Sequence, residues 1–353
     1  MAKKATNYEQ QHRSNIERQA AKVDKLFSEL SFEAGKIGWA AHNRPEPFSW
    51  NKNKALRADA GKVVRGVIKD IEKNIVSAVE VEWALSDSKN DNLAKEILSS
   101  QSQILRQYLG HNSAALEAFQ KRKIDGLNLS DRLWRLEDKI LDELESSIDV
   151  SLKTGTSAQQ LSRQIRQYLN EPERLFRRVR DERGALQLSK SAKLFHPGQG
   201  VYRSSRANAL RLARTEINMA YRTADNVRWE DMDFVLGYEV QRSANPYECP
   251  ICEALKGKYP KEFVFLGWHP NCRCFTTPLL VDADDFIERE LLRLAGKEPD
   301  PAKAPKRLTM PANFIEYIQK NAESIQKSAS NGTTPYYLKL NMAYLKKEEI
   351  WSE

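Results

Sequence analysis

The sequence predicts a predominantly α-helical α+β protein. A helical N-terminal region precedes a small α+β domain with a Cys/His zinc-knuckle-like motif, and a helical C-terminal tail follows. Apolar residues recur at helical spacing through most of the chain. All four cysteines lie between Cys249 and Cys274, and short apolar runs typical of strands lie around them. A length of 353 residues predicts two or three domains, which we assign to residues 1–150, 151–280 and 281–353.

Two amphipathic helices are the clearest elements of the N-terminal region. In the first, the apolar stripe consists of residues four positions apart, namely Val63, Val67, Ile71, Ile75 and Val79. In the second, which Asp131 is expected to cap, the apolar positions are Leu133, Leu136, Ile140 and Leu144. The two prolines and the asparagines of residues 35–53 predict a loop.

A long helix over about residues 205–232 is expected to form the centre of the second domain. Its apolar face consists of Leu210, Ala213, Ile217, Ala220, Tyr221 and Ala224. A polar stripe lies beside that face and consists of Arg211, Arg214, Asn218, Arg222 and Asp225. Strands are predicted at 234–242 and 263–269. After a Pro- and Lys-rich linker at 296–307, a last helix is predicted to bury Phe314, Ile318 and Ile325.

Positive charge is concentrated in one segment of the chain. The formal net charge is +8, and eleven basic but two acidic residues lie between Arg174 and Arg214. Such a segment attracts phosphates or an acidic protein surface, or serves as an arginine-rich solvated connector. The candidate contact residues are Arg177, Arg178, Arg180, Arg203, Arg206, Arg211 and Arg214. The aromatic residues Phe176, Phe195 and Tyr202 are too few among these basic residues to form a base-stacking pattern, which argues against sequence-specific reading of nucleic acid.

The cysteines and one histidine are spaced as metal ligands. Cys249 and Cys252 form a Cys-x-x-Cys pair, and Cys272 and Cys274 follow with His269 three positions upstream. Zinc takes four such donors in a tetrahedron, so five donors leave open which of His269, Cys272 and Cys274 complete the shell. A closed shell of four protein ligands leaves no position for water, which predicts a structural Zn²⁺. Disulfides would need an oxidising compartment, and the N-terminus lacks the apolar segment of a signal peptide.

Motifs of several enzyme classes are missing from the sequence. None of the five histidines is followed two positions later by Glu, as a zinc deaminase requires. There is no HExxH and no Walker loop, and no apolar stretch is long enough to span a membrane. Glu288 and Glu290 have the Glu-x-Glu spacing of ADP-ribosyltransferases, a spacing that is common on charged helices. We therefore predict a protein that is not an enzyme, with an ADP-ribosyltransferase or a zinc-dependent nucleic-acid hydrolase as the alternative.

Several short motifs follow one another in a specific order. A helix carries Ala213-Arg214-Thr215-Glu216, a predicted strand follows, and the Cys-x-x-Cys pair precedes Leu255-x-Gly257. A His-Pro-x-Cys-Arg-Cys sequence then begins at His269. In this order, over residues 155–280, the chain resembles the phage Mu F-like minor head proteins, also called the phage head morphogenesis family.

The resemblance implies a minor capsid protein of a phage or prophage. Such a protein is assembled in the host cytoplasm and becomes part of the virion, inside the head near the portal. The implied partners are the portal protein, the major capsid protein and packaged double-stranded DNA, bound without sequence specificity. The implied roles are head assembly and DNA ejection. Under the enzyme alternative, the chain is instead an effector enzyme that is delivered with the genome. Arg214 is then either a partner contact or a buried residue that bonds carbonyls of the knuckle.

Overall fold

The structure is a computed structural model, and it describes most of the polypeptide. The described residues are 2–41, 48–98, 101–152, 158–170, 179–180, 186–187, 204–243, 248–301 and 304–351.

Helices make up most of these residues, and the predicted α+β, mostly helical fold class is confirmed. The first half contains α1 (Ala2–Ala40), α2 (Lys54–Leu98), α3 (Ser102–Tyr108), α4 (Ser113–Lys121), α5 (Leu129–Trp134), α6 (Leu136–Leu152) and α7 (Ala158–Asn170). The second half contains α8 (Ser205–Asp231), α9 (Pro250–Ala254), α10 (Ala283–Leu294), α11 (Ala312–Lys320), α12 (Ala322–Ser330) and α13 (Tyr336–Lys347). None of the described helices combines the length and the apolar character that a membrane span needs.

Five strands form two sheets among the described residues. A two-residue antiparallel pair joins β1 (Val179–Arg180) to β2 (Leu186–Gln187). The larger sheet has the order β4–β3–β5 and comprises β3 (Val235–Gln241), β4 (Gly257–Pro260) and β5 (Phe275–Leu280). Both neighbours run antiparallel to β3, and Tyr238 is paired with Tyr259 on one side and Pro278 on the other.

The predicted loop at 35–53 begins later than expected, because α1 continues through Gly35 to Ala40. Gly38, in the last turn of α1, lies against side chains of α6 and α7, where a larger residue would be crowded. A Cβ placed on Gly38 would lie 2.6 Å from Leu161 Cδ2 and 3.3 Å from Ile148 Cγ1. The glycine therefore allows α1 to approach these side chains. Residues 42–47 of the predicted loop lie outside the described residues.

The helix predicted after Asp131 begins earlier and is divided in two, α5 and α6. Asn128, not Asp131, is the N-cap residue of α5, and its Oδ1 accepts the Asp131 N–H at 2.8 Å. Asp131 returns the bond by accepting the Asn128 N–H at 3.1 Å. This reciprocal capping box satisfies two backbone N–H groups that have no partner inside the helix. The predicted apolar positions of the pair are confirmed, since all four are buried.

One predicted strand is confirmed and the other is wrong. The strand predicted at 234–242 is β3, whereas residues 263–269 form no strand and connect β4 to β5. Phe263, Phe265 and Trp268 are nevertheless buried. A short apolar run has the same sequence pattern in a buried loop as in a strand.

An aromatic core fills the region between the larger sheet and the C-terminal helices. The Tyr259 ring lies 5.1 Å from Phe263, 5.5 Å from Trp268 and 5.9 Å from Phe314, measured between ring centroids. Ile318, Ile325, Tyr337 and Leu338 belong to the same buried cluster. The predicted inward face of the last helix is thus confirmed, although this helix is divided into α11 and α12 at Asn321.

The chain divides into two compact units, each built from separate stretches of sequence. The first unit combines Met1–Asn15, Val79–Phe119 and Thr215–Glu353, and the second combines Ile16–Ala78 and Gln120–Arg214. Residues of α1, α2 and α8 thus occur in both units. The three contiguous domains expected from the sequence stay a prediction.

In the second unit, the buried Glu143 of α6 binds Ser205, the first residue of α8. Glu143 Oε1 accepts hydrogen bonds from the Ser205 N–H at 3.0 Å and from the Ser205 hydroxyl at 2.9 Å. Glu143 Oε2 has no hydrogen-bond partner among the described residues. Burial raises the pKa of Glu143 from its ordinary value of 4.5 to about 7, although the bonds from Ser205 oppose the shift. An ionised Glu143 is therefore a cost to folding at neutral pH.

Replacing Glu143 by Gln should stabilise the protein in alkaline solution. The carboxyl favours the folded state below pH 4.5, and this contribution is lost as the pH rises through about 7. Glu143→Gln should therefore raise the free energy of unfolding by about 3 kcal/mol at about pH 8, but by little at about pH 4. Urea unfolding at the two pH values measures the difference. The exposed Glu29→Gln variant is the control, and an equal gain in both variants would contradict the prediction.

Candidate metal centre

The five predicted metal donors lie on the two connections that flank β4. Cys249 is the N-cap residue of α9 and Cys252 lies within this helix, between β3 and β4. His269 and Cys272 lie in the irregular connection from β4 to β5, and Cys274 directly precedes β5. The short sheet therefore brings together donors that are about twenty residues apart in sequence.

The donor atoms are close enough to share a metal ion. His269 Nε2 lies 3.2 Å from Cys249 Sγ and 3.2 Å from Cys252 Sγ, and Cys252 Sγ lies 3.8 Å from Cys272 Sγ. Two groups, Cys249–Cys252–His269 and Cys252–Cys272–Cys274, each have all ligand atoms within 4.8 Å of one another. Zn–S bonds of about 2.3 Å in a tetrahedron separate two sulfurs by about 3.8 Å. The Cys252–Cys272 distance matches this separation, each group of three could hold a metal ion, and Cys252 belongs to both groups.

The orientation of His269 suits metal binding through Nε2. Its Nδ1 lies 2.9 Å from the Pro270 carbonyl oxygen, which can only accept a hydrogen bond. Nδ1 therefore carries a proton, and Nε2 faces the thiols of Cys249 and Cys252. Ligating histidines are commonly oriented by such a bond from the second ring nitrogen.

The thiol groups favour ionisation at one member of the cluster. Hydrogen bonds from Cys252 and Cys274 lower the pKa of Cys272 well below the usual range of a thiol. The hydrogen bond to Cys272 is also the largest cause that raises the pKa of Cys252. All four cysteines are free thiols. A thiolate is the form that binds a metal, and within this cluster Cys272 is the thiol whose surroundings favour it.

Polar side chains on one face of α8 bind the backbone of the donor-bearing connection. Asn218 Nδ2 donates to the Leu266 carbonyl at 3.1 Å, and Arg222 Nη2 donates to the Cys274 carbonyl at 3.4 Å. Thr215 Oγ1 accepts the backbone N–H of Asn271 at 3.1 Å. Spacings of three, four and seven residues place these side chains on one helical face. The polar stripe predicted on this helix is thus largely internal, with Asn218, Arg222 and Asp225 buried.

A carboxylate near the N-terminus neutralises Arg222. Glu9 Oε1 and Oε2 accept bonds from Arg222 Nη1 at 2.7 Å and Nη2 at 2.6 Å, and both side chains are buried. Lys89 Nζ lies 3.9 Å from Glu9 and 2.5 Å from Asp225. Burial alone would raise the pKa of Glu9, but Arg222 and Lys89 lower it to about 2. Sequence reasoning missed Glu9, because its surroundings in the sequence contain no motif.

A second buried polar group of α1 lies beside this pair. His12 Nδ1 lies 2.5 Å from Glu82 Oε2, and His12 Nε2 lies 3.2 Å from Asn218 Oδ1. The imidazole stacks on the Tyr221 ring at 4.0 Å between centroids. Asn15 donates to the other Glu82 oxygen at 2.6 Å. The first turns of α1 thus contact α2 and α8 through polar groups that the sequence pattern did not indicate.

The predicted contact arginines fall into two groups. Arg177, Arg178 and Arg203 lie outside the described residues, as does the side chain of Arg180, whose backbone is in β1. The other three have partners within the protein: Arg206 with Asp24 at 2.5 Å, Arg211 with Asn208 at 3.0 Å and Arg214 with Glu17 at 2.9 Å.

The expectation that Arg214 is buried and bonds carbonyls of the knuckle is wrong. Arg214 is partly exposed and pairs with the carboxylate of Glu17. Arg222, two turns further along α8, makes the carbonyl bond instead. The sequence pattern placed both arginines in one stripe, but only Arg222 reaches the donor-bearing connection.

The Glu-x-Glu pair lies on α10 rather than in a paired acidic site. Glu288 and Glu290 are two positions apart on a helix, so they project about 200° from one another. Glu290 pairs with Arg293 at 2.5 Å. This geometry gives no support to an ADP-ribosyltransferase site at these residues.

Comparison of the chain with protein-family models, with curated proteins and with solved structures finds no match.

Removing the charge of Arg222 should be strongly destabilising. Arg222→Leu leaves the buried Glu9 carboxylate without its two-point partner, with Lys89 at 3.9 Å as the remaining ion pair, so we expect a loss of about 3–5 kcal/mol in the free energy of unfolding. Arg206→Leu is the matched control, since this arginine also pairs with a carboxylate of α1 but is partly exposed, and it should cost under about 1 kcal/mol. Urea unfolding measures both. Equal losses in the two variants would contradict a special role for the buried pair.

Proposed function

We propose that this chain is a minor capsid protein of a phage or prophage, located inside the head near the portal and not itself an enzyme. The observation that carries the proposal is the convergence of the motifs behind the resemblance. Thr215 of the Ala-Arg-Thr-Glu helix contacts the backbone of Asn271, which lies within the His-Pro-x-Cys-Arg-Cys sequence. The Cys-x-x-Cys pair contacts His269 of that same sequence. Motifs with a shared structural purpose are expected to meet in this way.

Leu255 and Gly257 of the Leu-x-Gly motif each have a physical reason for their position. Leu255 is fully buried in the aromatic core. Gly257 begins β4 with a φ of +153°, a conformation that side-chain-bearing residues rarely adopt. These requirements support reading the motif order as a structural signature.

Docking on the portal and the major capsid protein is assigned to the N-terminal region. In the second unit, Phe32 and Trp39 of α1 are 54% and 44% exposed. They are seven positions apart and therefore lie on one face of the helix. Exposed aromatic side chains aligned in this way are typical of protein contacts. This face supports attachment of residues 1–150 to neighbouring capsid components.

Contact with packaged DNA rests on charge rather than on base recognition. The basic excess of residues 174–214 attracts phosphates without regard to sequence. The partners of Arg206 and Arg214 reduce their share in this contact, which leaves more of it to Arg177, Arg178, Arg180 and Arg203. Binding of this kind weakens steeply as salt rises. A protein so placed could take part in DNA ejection as well as head assembly.

The metal centre is proposed to be structural and to hold Zn²⁺. We take Cys249, Cys252, His269 and Cys272 as the ligands, because Cys272 Sγ lies at the tetrahedral S–S distance of 3.8 Å from Cys252 Sγ, with Cys274 as a neighbouring thiol within 4.8 Å of both. A bound zinc ion would contribute folding free energy to donor-bearing segments that have little regular structure of their own. These four residues would close the shell and leave no position for water.

Assembled particles provide the test of function. Cross-linking of purified, DNA-filled heads followed by mass spectrometry should connect lysines of residues 1–150 to the portal or major capsid protein. Particles assembled without the portal are the control and should contain less of this protein. Absence of the chain from filled heads, or turnover of a substrate by the purified protein, would contradict the proposal.

The zinc ligand set is tested by elemental analysis of the purified protein. The wild type should contain about one zinc per chain. Cys252→Ser should lose the metal and destabilise the first unit, because Cys252 belongs to both donor groups. Cys274→Ser is the matched control and should retain zinc. Loss of zinc in Cys274→Ser with retention in a His269→Asn variant would identify four cysteines as the ligands and contradict the set given above.

A further inference from the structure

The C-terminal helices bind the backbone of the connection that carries His269 and Cys272. Asn341 on α13 is buried, and its Oδ1 accepts the Val264 N–H at 2.6 Å. Its Nδ2 donates to the Val264 carbonyl at 2.9 Å. One amide side chain thus satisfies both polar groups of a residue outside any strand, as a neighbouring strand would.

Two further side chains of the same region reach the metal-donor segments. Asn313 on α11 donates to the carbonyls of Ala254 at 2.7 Å and Lys256 at 2.9 Å, directly after the Cys-x-x-Cys pair. The Tyr336 hydroxyl, at the start of α13, donates to the His269 carbonyl at 3.2 Å. Both connections that carry donors are therefore bound by residues beyond 310.

Apolar packing reinforces these hydrogen bonds. The Tyr337 ring lies edge-on to Trp268 at 5.5 Å, and the Phe314 ring lies edge-on to Phe263 at 5.3 Å. Trp268 is the residue immediately before His269. Displacing α11 or α13 would uncover these rings and leave the Val264 backbone groups without their protein partner.

We infer that the segment 308–347 is the outer wall of the metal centre, with Asn313, Tyr336 and Asn341 as positioning residues for its ligands. This inference rests on the proposed structural zinc. Zinc binding requires both connections in place, and docking of α11 and α13 places them. Metal binding and docking of the C-terminal helices are therefore linked, and linkage of two equilibria is reciprocal.

Zinc affinity measured by competition with a chromophoric chelator tests one direction of the linkage. Asn341→Ala and Asn313→Ala remove no ligand, yet each should weaken zinc binding about 10- to 100-fold, as loss of outer-sphere partners does. Asn321→Ala is the matched control, since Asn321 lies in the same segment but donates to Tyr317, a carbonyl of that segment. If an asparagine variant does not fold, Tyr336→Phe replaces it in the test, because it removes only the hydroxyl that donates to the His269 carbonyl. It should weaken binding in the same direction.

Hydrogen exchange tests the other direction in the unaltered protein. Removing zinc with a chelator should increase amide exchange in α11 and α13 and leave α6 of the second unit unchanged. Unchanged exchange in α11 and α13, or wild-type zinc affinity in both asparagine variants and Tyr336→Phe, would overturn the linkage while the metal centre stands. A wild-type protein that takes up no zinc would overturn the metal centre and the linkage together.

Discussion

The buried ion pair between Arg222 and Glu9 is the interaction on which the first unit depends. A charge removed from water must be paired, because its unpaired burial costs several kcal/mol. Glu9 supplies the opposite charge in a two-point contact, and Nη1 and Nη2 also donate to Thr276 Oγ1 and the Cys274 carbonyl. One side chain therefore connects the first turns of α1, the long helix α8 and the strand that follows the metal donors.

Short regular elements explain why the donor region needs support from outside. The sheet has three strands, and the connection between β4 and β5 contains buried aromatic residues but no ladder of backbone hydrogen bonds. Buried backbone groups must find partners, and here side chains supply them. Asn218 binds the Leu266 carbonyl from α8, and Asn341 binds Val264 from α13. A metal ion shared by the two connections would add a third support of the same kind.

Part of the positive charge of residues 174–214 is paired within the second unit. Arg206 and Arg214 pair with carboxylates of α1 and so contribute to the helical packing of the second unit. The excess of positive charge along residues 174–214 exceeds what these pairs neutralise. The proposed attraction of DNA by charge rests on the part of this excess that the described ion pairs do not neutralise.

Periodicity and spacing in the sequence determined the helices and the metal donors. Val67, Ile71 and Ile75 are buried as their spacing predicts, and the Cys-x-x-Cys pair does lie against His269. These features are local, or repeat at a fixed interval, so sequence alone reveals them. Only the tertiary structure placed Glu9 beside Arg222 and Asn341 beside Val264, because residues far apart in sequence carry no signal of their contact. It also decided that Phe263 to His269 is a buried loop, since apolar residues alone do not distinguish a strand from a loop held by side-chain hydrogen bonds.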